Sequence, residues 1–179
     1  NRLLVIYNSE GKIKMFTYDI YARIKRDKLT LDQFDQIQDV KFMLDDNTLL
    51  MSAVKNGQSD IFTFKIDRER AEQITNDVFD DLDPSFVTFP NKSGILYSSN
   101  RPSSDAVSGD TVLPSNNRFN VFLIDNFNKS EFRQISQLSN LKYGNARFPT
   151  QYNSSHFTFV GDQNGINNRY AGFFSTARA

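Results

Sequence analysis

DPSFVTFPNKSGILYSSNRP, residues Asp83 to Pro102, is the stretch whose reading decides the fold. It holds two short runs in which apolar and polar residues alternate, Ser85–Phe89 and Gly94–Ser98, joined by Pro90-Asn91-Lys92-Ser93-Gly94. Alternation of period two turns one face of each run toward a core, as in a half-buried strand. A short polar linker containing Pro and Gly closes such a pair into a hairpin. Pro84 suits a strand start near a sheet edge, where no ladder donor is lost. Gly94 supplies a permissive backbone after the turn.

The same phrase recurs in weaker form on both sides. Toward the N-terminus, Leu3–Tyr7 is a continuous apolar run, expected to be a strand buried on both faces, and Asn8–Gly11 turns it into the alternating Lys14–Ile20. Between Asp19 and Asp39, YARI and KLTL suit a strand and its return, while DQFDQIQ suits a helical turn equally well. Val40–Leu44 and Thr48–Val54 form a hairpin around Asp45-Asp46-Asn47. Asn56–Ser59 turns the chain into Asp60–Ile66, and Asp67–Arg70 turns it into Ala71–Thr75. Beyond the deciding stretch lies a long polar insertion, Pro102–Arg118. Strands then follow at Asn120–Asp125 and Glu131–Ser136, a connection at Gln137–Arg147, a hairpin of Pro149–Tyr152 with His156–Val160, and a strand at Arg169–Phe174.

The spacing is regular. KMFTYDI begins at Lys14 and DIFTFKI at Asp60, 46 residues on. Asp39, before VKFML, and Asp83, before PSFVTF, lie 44 apart; the next step, from Asp60 to Asn120, is 60 because of the insertion. Four strands in about 40 to 50 residues are the signature of a β-propeller blade. The strands group as three, four, four and three, about three and a half blades, in units 1–39, 40–83, 84–147 and 148–179. Propellers close with roughly four to eight blades, and an open array leaves edges and blade faces uncovered. The expectation is an all-β chain forming part of a larger propeller.

Composition agrees with a folded β protein and narrows the function classes. Of the 179 residues, 39% are hydrophobic and 23% charged, which supports a core. Lys+Arg and Asp+Glu each number 21, so no basic excess argues for nucleic acid or an anionic membrane. No run approaches the length of a membrane-spanning helix. Cysteine is absent, which excludes disulfides and thiolate zinc sites within the sequence. The sequence starts at Asn1 without Met, so any export signal is expected outside it.

ITNDVFDDLDPSFVTFPNKSGILYSSNRP, preceded by SDIFTFKID, resembles the WD40-like (PD40) repeat of TolB-type β-propellers. The matching elements are Ile74-Thr75, the acidic loop Asp77–Asp83, Pro84-Ser85-Phe86, the turn Pro90–Gly94, the strand Ile95–Ser99 and Asn100-Arg101. The closing triplet falls on Asp60-Ile61-Phe62 and again on Asn120-Val121-Phe122. Two units depart from the pattern: Ala53-Val54-Lys55 and Gly161-Asp162 stand where Asn-Arg is expected. The Ser-Asn-Arg-Pro ending and the Asn-rich style resemble long envelope proteins of Bacteroidetes. The resemblance implies a non-catalytic scaffold that binds protein or peptide partners in the periplasm. The alternative is the propeller of a larger serine peptidase or glycan-active enzyme, with its catalytic residues elsewhere.

Little in the residues themselves spells out a reaction. Asp77, Asp80, Asp81 and Asp83 allow a calcium reading, since hard oxygen ligands in a turn suit that ion, but the Asp-x-Asp-x-Asp-Gly spacing is missing. The competing reading is a solvated loop between blades, with Asp83 capping a strand start, and no cofactor or metal is expected. His156 is the only histidine, and no Gly-x-Ser-x-Gly elbow accompanies it. Arg101 is open to two readings, a tie to Asp83 or Asp60 between strands or blades, and a contact to a ligand. Loops on rigid scaffolds carry much binding function, so the expected partner-binding residues are Arg101, Ser104, Asp105, Asp110, Asn117 and Arg118, all at or within the insertion.

Overall fold

The computed structural model describes residues 1–89, 92–106, 118–125, 127 and 133–174. Every regular element among them is a strand, and the strands form four antiparallel sheets. The first sheet contains β1 (Arg2–Ser9), β2 (Lys12–Asp19) and β3 (Ile24–Thr30). The second contains β4 (Gln36–Phe42), β5 (Thr48–Lys55), β6 (Gln58–Lys65) and β7 (Arg70–Gln73). The third contains β8 (Asp81–Phe89), β9 (Lys92–Ser99), β10 (Asn120–Asp125) and β11 (Gln134–Gln137). The fourth contains β12 (Ala146–Gln151), β13 (His156–Gly161) and β14 (Asn168–Phe173). Within each sheet the strands neighbour one another in sequence order, so every connection is a simple reversal.

Period-two alternation does the packing. In β5, Leu49, Met51 and Ala53 join a core shared with the first sheet, while Leu50 between them joins the core shared with the third. In β10, Phe122 and Ile124 face the second sheet, and Val121 and Leu123 face the fourth with Phe157 and Phe159. Three cores thus lie between four sheets stacked face to face, as blades stack in a propeller. The chain is therefore all-β with propeller blades, as its repeats predict.

Turn chemistry sets which strands of a blade each sheet holds. Glu10-Gly11 (φ 54° and 72°) joins β1 to β2, and Asn56-Gly57 (φ 53° and 79°) joins β5 to β6. Two positive-φ residues in a row form the tight turn whose twist matches its strands. The first sheet therefore corresponds to the second, third and fourth strands of a blade. The fourth sheet corresponds to the first three, because β12 shares with β8 a register shift near its start.

Several local expectations are corrected. β1 is not buried on both faces: Leu3 is 54% and Tyr7 42% exposed, because only alternate residues reach the first core. YARI and KLTL do not make a strand and its return but a turn and the single strand β3. No helical turn forms at DQFDQIQ; residues 32–35 turn and Gln36 opens β4. Gly94 lies within β9, opposite Asp125, in the strand run expected of it, but it serves close packing rather than backbone freedom. A Cβ there would come within 2.6 Å of the Ile124 carbonyl oxygen, so close approach of β10 demands the glycine.

Candidate partner-binding site

Arg101 follows β9 and turns inward, with 2% of its surface exposed. Its guanidinium donates to the Asp77 carboxylate, stands 4.0 Å from Asp81, and lies over the rings of Phe79, Tyr97 and Phe122. It ties the loop after the second blade to the third blade. The partners are Asp77 and Asp81 rather than Asp83 or Asp60, since Asp60 is bonded by Gln73 and Thr75 and Asp83 by Arg147. The loop is solvated only in part: Asn76 and Val78 are exposed, whereas Asp81 and Asp83 at the start of β8 are buried, and Asn100 closes over Asp80 through its side-chain oxygen.

Asp60, Asp77 and Asp81 present carboxylate oxygens within 4.8 Å of one another, the grouping among the described residues that suits a cation. Arg101 supplies positive charge to that position. Burial pushes Asp81 up to about 8 despite the pull of Arg101, and burial pushes Asp60 up to about 6. The Asp81 oxygens and the Tyr97 hydroxyl make no hydrogen bond. Burial holds the Tyr97 hydroxyl protonated as well. The cluster is a buried charge lock between blades, with carboxylates in excess of cations, an arrangement that favours the protonated acid.

A second constellation lies where the first strands of three blades meet. β8 touches both β4 and β12, and these three first strands line a groove of about 490 Å³. Gln38, Asp39 and Lys41 come from β4, Leu82 and Asp83 from β8, and Arg147 and Phe148 from β12, with Ser52 of β5 beside them. Each strand carries a register shift beside the groove, at Ile37/Asp39, Leu82/Ser85 and Arg147/Thr150. Such bulges re-aim side chains. Asp83, 5% exposed, accepts from Arg147 Nε at 2.5 Å and Nη2 at 3.1 Å, and from the Phe148 amide at 3.2 Å. Arg147 in turn lies over the rings of Phe119 and Phe148. Phe148 is held at φ 54° with 58% of its surface exposed. It also lines a neighbouring hollow of about 300 Å³ with Asn145 and Asp162.

The residues expected to bind a partner are scattered around the insertion. Ser104 is half-buried and Asp105 exposed where the chain leaves Arg101. Arg118 is exposed and donates to the Lys142 carbonyl at 2.9 Å. Asp110 and Asn117 lie outside the described residues. His156 is exposed, its imidazole beside Ser155 and Asn153. Sequence reading missed both residues of β12, placing Arg147 at the end of a connection and Phe148 in no element. One signal was available: Asp83-Pro84 and Phe148-Pro149 are the same step at the same place in two blades.

Stacked antiparallel sheets of three and four strands, three of them bringing their first strands to a common groove, are the architecture of a β-propeller. No family model matches the sequence, and no curated protein matches it. Solved structures do. TolB from Acinetobacter baumannii superposes with a TM-score of 0.65 at 13% identity, covering 95% of this chain and 37% of its own. A protein assigned as TolB from Agrobacterium tumefaciens gives 0.55 at 14% identity, covering 98% and 55%. The fold is the TolB-like β-propeller, and the chain spans between 37% and 55% of the length of these structures. No helix is long and apolar enough to cross a membrane among the described residues.

Proposed function

We propose that this chain is part of a non-catalytic propeller scaffold that binds a protein or peptide partner in the periplasm of a bacterial envelope. The observation that carries this is Phe148, an exposed aromatic held at positive φ over the groove by Asp83 and Arg147. Aromatic and arginine side chains are the usual anchors of protein contacts. The TolB-like fold supports the same reading, since it supplies a rigid array with loops and a common groove. Ser104, Asp105 and Arg118 extend the contact onto the insertion, and Arg101 fixes the point where that insertion begins.

The test is a photo-crosslinking residue at position 148 of the full protein in its native envelope, with Tyr21, 80% exposed on the first sheet, as control position. A discrete adduct from 148 and none from 21 is the expected result. Phe148→Gly should then lower partner retention at least tenfold while circular dichroism stays unchanged. Adducts from 21 alone, or turnover of a peptide or glycoside by the full protein, would overturn the proposal.

A further inference from the structure

Three aspartates from separate elements meet in the charge lock. Asp60 lies in β6, Asp77 in the loop after β7, and Asp81 opens β8. Each offers a carboxylate oxygen, and the three oxygens lie within 4.8 Å of one another. Calcium binds oxygen at about 2.3–2.6 Å, so one ion among them reaches all three. This is not the ligand run that the acidic loop's own spacing suggests, because Asp80 is paired with Asn100 and Asp83 with Arg147. The flanking blades are the second and third, both with four strands, so complete sheets enclose the cluster on either side.

Arg101 satisfies only part of this cluster. Its guanidinium donates to Asp77 but stands 4.0 Å from Asp81, and Asp60 is bonded instead by the neutral Gln73 and Thr75. Asp81 is fully buried, and both of its oxygens lack a hydrogen bond. Buried polar groups nearly always have a partner, and this carboxylate is aimed into the cluster. The charges point the same way. With three carboxylates ionised against one guanidinium, the excess negative charge is what a single divalent cation cancels.

We propose that Asp60, Asp77 and Asp81 form a binding site for a divalent cation of calcium's size, which pins the second blade to the third. Carboxylate oxygens are the ligands that such a hard ion takes. Arg101 keeps its bond to Asp77, and Asp81 contributes the oxygens that the guanidinium leaves open. Asp77 is the most accessible of the three, with 13% of its side chain exposed, and gives the ion and its water ligands their way in. In chelator, Arg101 and protons hold the lock alone. None of these residues lines the groove at Phe148, so the two sites are separate.

The experiment follows the thermal midpoint of the full protein, stripped with EDTA, as calcium chloride is added. Extracellular calcium modules bind in the range of about 0.1–1 mM, so about 10 mM fills the site. Linkage should then raise the midpoint by about 3 °C or more. Asp81→Asn should weaken the response at least tenfold, whereas Asp46→Asn, at an exposed aspartate, should keep it. Terbium chloride gives a readout independent of stability. Tyrosine-sensitised emission should appear and largely vanish in Tyr97→Phe, since the Tyr97 ring lies against Arg101; if Asp81→Asn misfolds, this readout decides. The proposal would be overturned by the absence of a saturable shift, by a shift that survives Asp81→Asn, or by emission indifferent to Tyr97→Phe. A larger response to magnesium than to calcium would also overturn it.

Discussion

Arg101→Met isolates the charge in the lock between the second and third blades. Methionine keeps an apolar stem among Phe79, Tyr97 and Phe122 and removes the cation from Asp77 and Asp81. Both partners of the pair are well sheltered, Arg101 at 1% and Asp77 at 13% side-chain exposure, so solvent screens it weakly. Breaking a buried pair by deleting one member costs about 3–5 kcal/mol, because the other charge is stranded. Whole-domain stability is roughly 5–15 kcal/mol, so the variant remains folded enough to measure. Equilibrium urea unfolding followed by tyrosine fluorescence suits a chain with seven Tyr and no Trp.

The pH dependence sharpens the test. Asp81 is raised to about 8 and Asp60 to about 6 from 3.8, burial being the main cause for each. The native state therefore binds more protons than the unfolded state above pH 4, up to about 6 for Asp60 and 8 for Asp81. Stability from these groups is fully present below pH 4 and falls as pH rises through that window. Without Arg101 the Asp81 carboxyl loses its counter-charge and moves higher still. The deficit of Arg101→Met should therefore be largest at pH 8 and shrink by pH 5. A deficit under about 1 kcal/mol at pH 8, against the 3–5 expected, or one equal at both values, would refute the lock.

Asp81→Asn mimics the protonated acid. It should match the parent within about 1 kcal/mol at pH 4 and exceed its stability at pH 8, flattening the unfolding midpoint between those values; a parallel profile would show that Asp81 does not titrate in this range. Gly94→Ala places a Cβ 2.6 Å from the Ile124 carbonyl oxygen and 2.9 Å from Leu123 Cδ1. It should cost about 1–3 kcal/mol by overpacking, read as a lower thermal midpoint and faster amide exchange in β9 and β10, and an unchanged midpoint would show that the sheet yields.

The blades were legible because each depends on local information: period-two alternation, Asn-Gly or Glu-Gly between strands, and a repeat step visible in DIFTFKI and NVFLID. The charge lock was half legible. Arg101 and the acidic loop stood out in the sequence, but Asp60 reaches them across the fold from β6, and no spacing rule links position 60 to 81. Arg147 and Phe148 were hidden for a different reason. Pro149 made the strand look as if it began later, whereas β12 starts at Ala146 and carries its proline at a register shift, on a strand that is an edge of its sheet among the described strands. An edge strand accepts proline there without losing a ladder bond.

Backbone strain separates what the fold needs at the groove from what it tolerates. Asp83 and Phe148 share φ 54° and both precede a proline. Asp83 has an internal reason for its conformation, because its carboxylate meets Arg147 twice and the Phe148 amide once. Aspartate also visits the left-handed region more readily than a bulky residue does. Phe148 gains its amide bond to Asp83 and the Arg147 guanidinium over its ring, but the ring is 58% exposed and belongs to none of the three cores. Holding a residue there costs about 1–3 kcal/mol, and glycine would remove most of that cost without emptying a core. An exposed aromatic at a strained position, beside the half-buried ion pair of Asp83 and Arg147, is the geometry on which the proposed contact surface rests.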